Sequence, residues 1–301
     1  APSASLTRSP FYPSTLPLLH PSTPPRTSSP PPPLPQSLAP PTLWISQSEF
    51  LAKPIDARLG VLGLPQSATG QTTLYTGQNA AKFRGQHQTA FANGSLRQLI
   101  EAHGIFKQVL ARGGTATLAN LYSPTYFEAI AQRRVRYAVG TLLNLAAQLP
   151  FRMQDEYECD QAIFWDITGE LAYHRGIAAP PITASEAGKR LAYLGATHTI
   201  TLFECFLTDF AGHAQDWERA AAVLHRVDTF LENLVKYRSP HVTIIITSDH
   251  GNLEDLSTKR HTLNPVPLIA IGPDASTFST ATDLTHITPQ ILRILDTKPS
   301  P

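Results

Sequence analysis

Cysteine is nearly absent from this 301-residue chain. Its two thiols, Cys159 and Cys205, stand far apart and form no CxxC pair. That argues against a disulfide framework and against a cysteine zinc site, and makes a reducing, cytoplasmic setting the default. Both thiols are expected to be small buried apolar groups. An excess of charge of either sign is missing too: 24 Lys and Arg against 23 Asp and Glu leave a formal charge of +1. No electrostatic footprint for nucleic acid follows. No apolar run approaches the roughly 20 residues that a bilayer span requires, so no membrane partner is expected. Acidic residues are wholly missing from residues 1–42, where Pro, Ser, Thr and Leu dominate and Pro30–Pro33 is unbroken. Such a stretch favours polyproline or disorder. It lacks the apolar core of a secretory signal, and its few arginines argue against a transit peptide.

What the chain does have is concentrated between Val242 and Pro267. A β-branched run, Val242-Thr243-Ile244-Ile245-Ile246, stops abruptly at Thr247-Ser248-Asp249-His250-Gly251-Asn252. A continuous apolar run of this length reads as a strand buried on both faces of an α/β sheet. Two good metal ligands therefore sit at the carboxyl end of a strand, where open α/β sheets hold their ligands. His261 follows after a polar loop.

The pattern occurs twice. Thr199 to Leu207 reads as a second buried strand, and just beyond it come Asp209 and His213, spaced i, i+4 so that both can face one side of a helical turn. The alternative for each pair is a capping Asp beside a surface His. Asp216 to Tyr237 then has the apolar stripe of an amphipathic helix: Val223, Leu224, Val227, Phe230, Leu231 and Leu234. Earlier, Leu64 to Gly77 is rich in small hydroxylated residues. Ser67 is placed to start a helix, where free backbone N–H groups favour an anion; the plain reading is an N-cap. Ser95 to Ala111 has helical spacing broken at Gly104, Thr115 to Leu121 reads as a strand, and Thr285 to Leu295 as a closing helix. The cluster Arg133, Arg134 and Arg136 reads as a solvated face.

Asp and His ligands without cysteine suit zinc or manganese. With a hydroxyl nucleophile, two such ions could hold the oxygens of an in-line phosphoryl transfer. The DxxGH of Asp209–His213, the DHGN of Asp249–Asn252, the HTxNPVP of His261–Pro267 and the Ser67–Gly70 loop together resemble the alkaline phosphatase superfamily. Within it they are most similar to the branch of cofactor-independent phosphoglycerate mutase and phosphopentomutase. The resemblance covers most of residues 55–90 and 199–295. It implies a doubly wound, mostly parallel α/β sheet with helices on both faces and an inserted α/β cap. It also implies two divalent metal ions: Asp209, His213 and His261 would hold one, and Asp249, His250 and Ser67 the other. Ser67 would be the nucleophile.

The domain organisation expected on that basis is a segment 1–42, a core at 43–93, a cap at 94–196 and the rest of the core at 197–301. The implied activity is phosphatase or phosphomutase chemistry on a small phosphorylated metabolite. Phosphodiester or sulfate ester hydrolysis and a non-catalytic metal-binding protein are the alternatives. The chain departs from the mutase pattern at two places. Gln71 stands where the mutases have His, and no Asp precedes Asp56. An apolar strand ending in Asp-Gly, upstream of Ala1, is therefore expected in the natural protein.

Overall fold

The computed structural model describes residues 45–297. The segment 1–42, expected to be disordered, lies outside the described residues. Two strands open the chain, β1 (Ile45–Gln47) and β2 (Phe50–Ile55). Helices α1 (Ser67–Thr76), α2 (Ala80–Arg84), α3 (Gly94–His103) and α4 (Ile105–Leu110) follow. Next come β3 (Ala116–Leu118), α5 (Pro124–Ala131), α6 (Val139–Ala146) and α7 (Gln154–Glu158). Then α8 (Ala184–Thr197), β4 (Ile200–Leu202), α9 (Leu207–Ala214) and α10 (Trp217–Tyr237) lead to β5 (Ile244–Thr247), β6 (Val266–Ile271) and α11 (Ile287–Thr297).

Local chemistry accounts for the main boundaries. Asp216 caps α10 by accepting from the Arg219 N–H at 3.0 Å. Gly104 separates α3 from α4, as its place in the sequence suggested. Helix α1 has no apolar stripe. It is buried through small residues, and Thr72, Thr73 and Thr76 turn their hydroxyls back to carbonyls one turn earlier at 2.6, 2.7 and 2.6 Å. That satisfies each buried hydroxyl within the helix itself.

Among the described residues the architecture is mixed α/β, with two sheets. The larger has the order β1-β2-β6-β5, and every pairing in it is antiparallel. The smaller pairs β3 with β4 in parallel. Among the described residues, the parallel pairing that was expected to predominate is found between β3 and β4 and in the isolated bridges Asp56–Asp283, Asn120–Ile163 and Leu121–Arg152. A β-branched run reports burial on two faces but carries no information on strand direction. Here β5 runs out to Asp249, and β6 returns beside it with Ile246 opposite Ile269.

Residues 94–196, expected as an inserted cap, share cores and a sheet with the rest. Leu96, Phe106 and Leu143 pack in one cluster with Ala68 of α1 and Leu292 of α11, β3 pairs with β4, and α8 packs along α10. A second cluster joins β2 and β6 to Phe278 and Leu284. A third joins α8 and α10 to Ile244. Within α10, Val223, Phe230 and Leu234 are buried as expected, whereas Leu224 is 51% exposed. The cysteines also differ from expectation. Cys159 is exposed and Cys205 is intermediate; Cys159 ends the acidic helix α7, which turns little of its surface inward.

Candidate metal centre

Three elements deliver the candidate ligands. Asp209 and His213 lie four apart within α9, so Asp209 is a helix-interior residue rather than a cap. Asp249 and His250 follow β5 directly. His261 comes from the loop before β6, joined to the first loop by the Gly251–Thr262 bridge. Glu254 ties these two loops together. Its carboxylate accepts from the Asn252 N–H at 2.7 Å, from the Asn264 amide at 3.2 Å and from the Thr262 hydroxyl. The sequence signal for Glu254 was slight: one acid between two His-bearing motifs.

Close approach explains two glycines of the motifs. A Cβ on Gly212 would overlap the Asn252 side chain, and one on Gly70 would overlap the Asp249 backbone. Gly212 lets the Asn252 amide reach Asp209 Oδ1 at 2.6 Å. Gly70 lets α1 press against the end of β5, which brings Ser67 Oγ to 3.0 Å from His250 Nε2.

Asp209 is the focus of the cluster. His213 Nε2 lies 3.3 Å and His261 Nε2 3.5 Å from its Oδ1. The imidazoles of His250 and His261 stack with centroids 3.6 Å apart. Asp209, His250 and His261 each offer one ligand atom, and these all lie within 4.8 Å of one another. His250 thus groups with Asp209 and His261 as well as with Asp249, whose Oδ2 is 3.6 Å away. Burial works against ionisation of Asp209, but hydrogen bonds donated by the imidazoles of His213 and His261 in their protonated form outweigh it and hold the carboxyl well below the usual range.

These residues fit a divalent cation. His213 Nδ1 is 2.7 Å from the Lys259 carbonyl and His261 Nδ1 2.8 Å from the Pro65 carbonyl. A carbonyl only accepts, so each Nδ1 carries a proton and each Nε2 of a neutral ring presents a lone pair. Backbone carbonyls behind the ring orient metal-binding histidines in this way. Charge-assisted N–H···O contacts close to about 2.7–2.9 Å, shorter than the two Nε2–Oδ1 distances. Ligands about 2.1 Å from a tetrahedral ion stand about 3.4 Å apart, which matches them. His250 Nδ1 and Asn252 Oδ1 are buried without a hydrogen-bond partner.

Around Asp249 the set is different. Gln71, in the place of the mutase His, donates its amide to Asp249 Oδ2 at 3.0 Å. Behind it lies Glu204, which the sequence reading missed although an acid in the run TLFECFL is itself a signal. It is buried, accepts from the Tyr75 hydroxyl at 2.7 Å, and is fixed by a two-way exchange with Asn120 at 2.8 and 2.9 Å. Burial first, and then the charge of Asp249, push its carboxyl up to about 7.

Comparison with known proteins bears on the motifs that supply these residues. Residues 187–299 match the model of the Metalloenzyme superfamily. That segment holds the DxxGH, DHGN and HTxNPVP motifs, so the resemblance read from them stands. Among the relatives are 2,3-bisphosphoglycerate-independent phosphoglycerate mutases. The one from Haloquadratum walsbyi is 32% identical over 97 residues, covering 29% of this chain and 19% of the relative. The one from Dinoroseobacter shibae is 31% identical over 126 residues, covering 38% and 25%. The matched stretch spans a quarter or less of either relative. A solved structure of Leishmania mexicana phosphoglycerate mutase at low cobalt concentration aligns with a TM-score of 0.40 and 16% identity, covering 64% of this chain and 37% of that one. A Pyrococcus horikoshii protein aligns with a TM-score of 0.43 and 14% identity, covering 65% and 46%. Among the described residues, no helix is long and apolar enough to cross a membrane.

Proposed function

We propose that this protein carries out metal-dependent phosphoryl transfer, of phosphatase or phosphomutase type, on a small phosphorylated metabolite. The observation that carries the proposal is Ser67 Oγ standing 3.0 Å from His250 Nε2, beside the compact Asp209, His250 and His261 set. Asp209, His213 and His261 would hold one divalent cation, zinc or manganese; Asp249, His250 and Ser67 would hold a second. Bound there, the cations would supply positive charge to the phosphoryl oxygens and lower the pKa of the serine hydroxyl.

The chain's own groups supply the rest. Ser67 is the first residue of α1, and the N–H groups at the start of a helix favour a phosphate dianion. The contact from His250 orients Oγ. Attack by Oγ on phosphorus would give phosphoserine and release the substrate alcohol. Water, or the alcohol rebound in another pose, would then take the phosphoryl group from Ser67.

Replacing Ser67 by Ala tests this reading. Turnover of a panel of phosphate monoesters should vanish, while the melting temperature stays within a few degrees, because one half-buried hydroxyl is worth about 1 kcal/mol. Phosphoserine at Ser67, trapped by acid quench and located by mass spectrometry, is the expected signature. Full turnover in the Ala variant would exclude Ser67 as nucleophile. Bound metal with no turnover of any phosphate, phosphodiester or sulfate ester would favour a non-catalytic metal-binding protein.

A further inference from the structure

His250 and His261 come from different segments, yet their rings stack 3.6 Å apart with only 13° between their planes. No sheet joins the segments at this point, because β5 has ended at Thr247 and β6 begins only at Val266. The backbone link is an isolated antiparallel bridge, in which the Thr262 N–H donates to the Gly251 carbonyl at 3.0 Å. One such bond is worth about 1 kcal/mol, which is little to fix two side chains in place.

The Glu254 carboxylate reinforces this bridge from both sides. One oxygen, Oε2, accepts from the Asn252 N–H at 2.7 Å. The other, Oε1, accepts from the Thr262 hydroxyl and from the Asn264 amide, the latter at 3.2 Å. Gly251 makes room for it: a Cβ there would overlap Glu254 Oε1 and Thr262 Oγ1. Glu254 is an exposed residue. A glutamate in water loses side-chain freedom when it is fixed, so its ordering by donors from two segments has to be offset. Hydrogen bonds to a charged acceptor, roughly twice as strong as neutral ones, supply that offset.

Each of these bonds leads to a candidate ligand. Asn252, held through its N–H, gives its side-chain amide to Asp209 Oδ1 at 2.6 Å. Thr262 is the neighbour of His261 in the chain. The loop that Glu254 closes, residues 252–261, also faces α9. Its Lys259 carbonyl accepts from His213 Nδ1 at 2.7 Å, and its Leu256 carbonyl accepts from the Gln215 amide at 3.1 Å. Asp209, His213 and His261 are thus all approached from one loop, and the two ends of that loop meet at one carboxylate.

We infer that Glu254 is a positioning residue of the candidate metal centre: by spanning the two segments it sets the placing of His250, His261 and Asp209, and so the affinity for a divalent cation. What counts is the length of its side chain rather than its charge. The inference rests on the metal-centre reading above and not on the phosphoryl-transfer step.

The test separates length from charge and leaves turnover aside. Zinc affinity, read by competition with a chelator, is compared in the parent protein and in Glu254→Ala, Glu254→Gln and Glu254→Asp. Gln has the length of Glu. Its amide oxygen can accept from the Asn252 N–H, and its NH2 can donate to the Thr262 hydroxyl, which accepts as well as donates. Affinity should stay within about threefold of the parent, since only the longer Asn264 contact is lost. Asp keeps the charge but is one methylene shorter and cannot reach both segments. It should weaken binding as Ala does, by about 10–100-fold, the usual cost of losing a group that orients metal ligands. The cobalt(II) absorption spectrum, which reports ligand geometry, should be shared by the parent and the Gln variant and altered in the other two. A residue that only stabilised the fold would lower the melting temperature without moving that spectrum. If Glu254→Ala does not fold, the comparison of Gln with Asp decides. Parent-like affinity and spectrum in Glu254→Ala overturn the proposal. Parent-like binding by the Asp variant with loss in the Gln variant overturns it too, because charge would then be the active feature. If the parent protein itself binds no zinc, the metal-centre reading falls and takes this proposal with it; if the parent binds zinc and the variants do equally, this proposal falls alone.

Discussion

The two carboxylates of the candidate centre, Asp209 within α9 and Asp249 just past β5, are held in opposite ways. Asp209 faces two imidazoles whose far nitrogens are locked to backbone carbonyls, and it receives the Asn252 amide at 2.6 Å. Asp249 meets the Gln71 amide at 3.0 Å and shares His250 with Ser67. Both follow an apolar strand. The difference lies in what the surrounding helices bring. Around Asp209, α9 supplies a second candidate ligand, His213, from its own next turn, whereas α1 offers Asp249 an amide that cannot match a charged or imidazole ligand. A carboxylate beside bare imidazole nitrogens is a site for a cation; one satisfied by an amide is partly satisfied without any. The proposed metal at Asp209 should therefore bind more tightly than the one at Asp249.

The largest expected effect comes from removing the better-held carboxylate. Asp209→Asn keeps the shape and removes the charge on which His213 and His261 converge. Metal content after dialysis should fall by one equivalent. If the cation contributes several kcal/mol to the transition state, turnover should drop by about a thousandfold or more. Unchanged metal content, measured by elemental analysis, would remove Asp209 from the centre.

Glu204 probes the other side through pH. Its carboxyl is raised to about 7, so the folded protein binds this proton more tightly than the unfolded chain. The contribution to stability is complete below the unfolded value near 4.5 and is lost as pH rises through about 7. Glu204→Gln keeps an oxygen for the Tyr75 hydroxyl and removes the titration. The variant should match the parent protein at pH 4.5 and exceed it by about 3 kcal/mol at pH 8, at 1.36 kcal/mol per pKa unit. Urea melts at the two pH values check it, and a constant difference between them would mean that Glu204 is ionised throughout.

Much of this was readable from the sequence, and what was not readable has a physical reason. The strand ends stood out because Ile244–Ile246 gives way at once to Thr-Ser-Asp-His. Helix α10, 21 residues long, stood out because its apolar stripe repeats from Val223 to Leu234. Strand direction did not, since the partner of β5 is decided by residues 266–271, beyond any local window. Leu224 fits the stripe yet is exposed, because periodicity gives a face and not what covers it. The candidate ligands stood out because Asp and His are chemically marked. Glu254 and Glu204 were missed because their roles exist only once two distant loops or strands meet.

Asn252 gives an intermediate effect. Asn252→Leu removes the amide that positions Asp209 while leaving every proposed ligand in place. Loss of a supporting partner of this kind costs about 10–100-fold in metal affinity. The change should appear in a competition titration with a chelator, with the melting curve lowered by about 1–3 kcal/mol for the polar groups left without partners. Affinity equal to that of the parent protein would show that the imidazoles alone position Asp209.

The smallest change sharpens the contrast most directly. Gln71 occupies one oxygen of Asp249, and its amide has no lone pair on nitrogen to offer a cation. Gln71→His would replace that donor with an imidazole on the same helix face, close to the size of the original side chain. Stability should change little, because one neutral hydrogen bond of about 1 kcal/mol is exchanged for another. The affinity of the Asp249 side for manganese should rise, since imidazole adds a ligand where there was only a competing donor. Calorimetric titration of the two proteins with manganese would show a second binding step that is stronger in the variant than in the parent. If the steps are the same in both, the Gln71 amide is not what separates the two carboxylates.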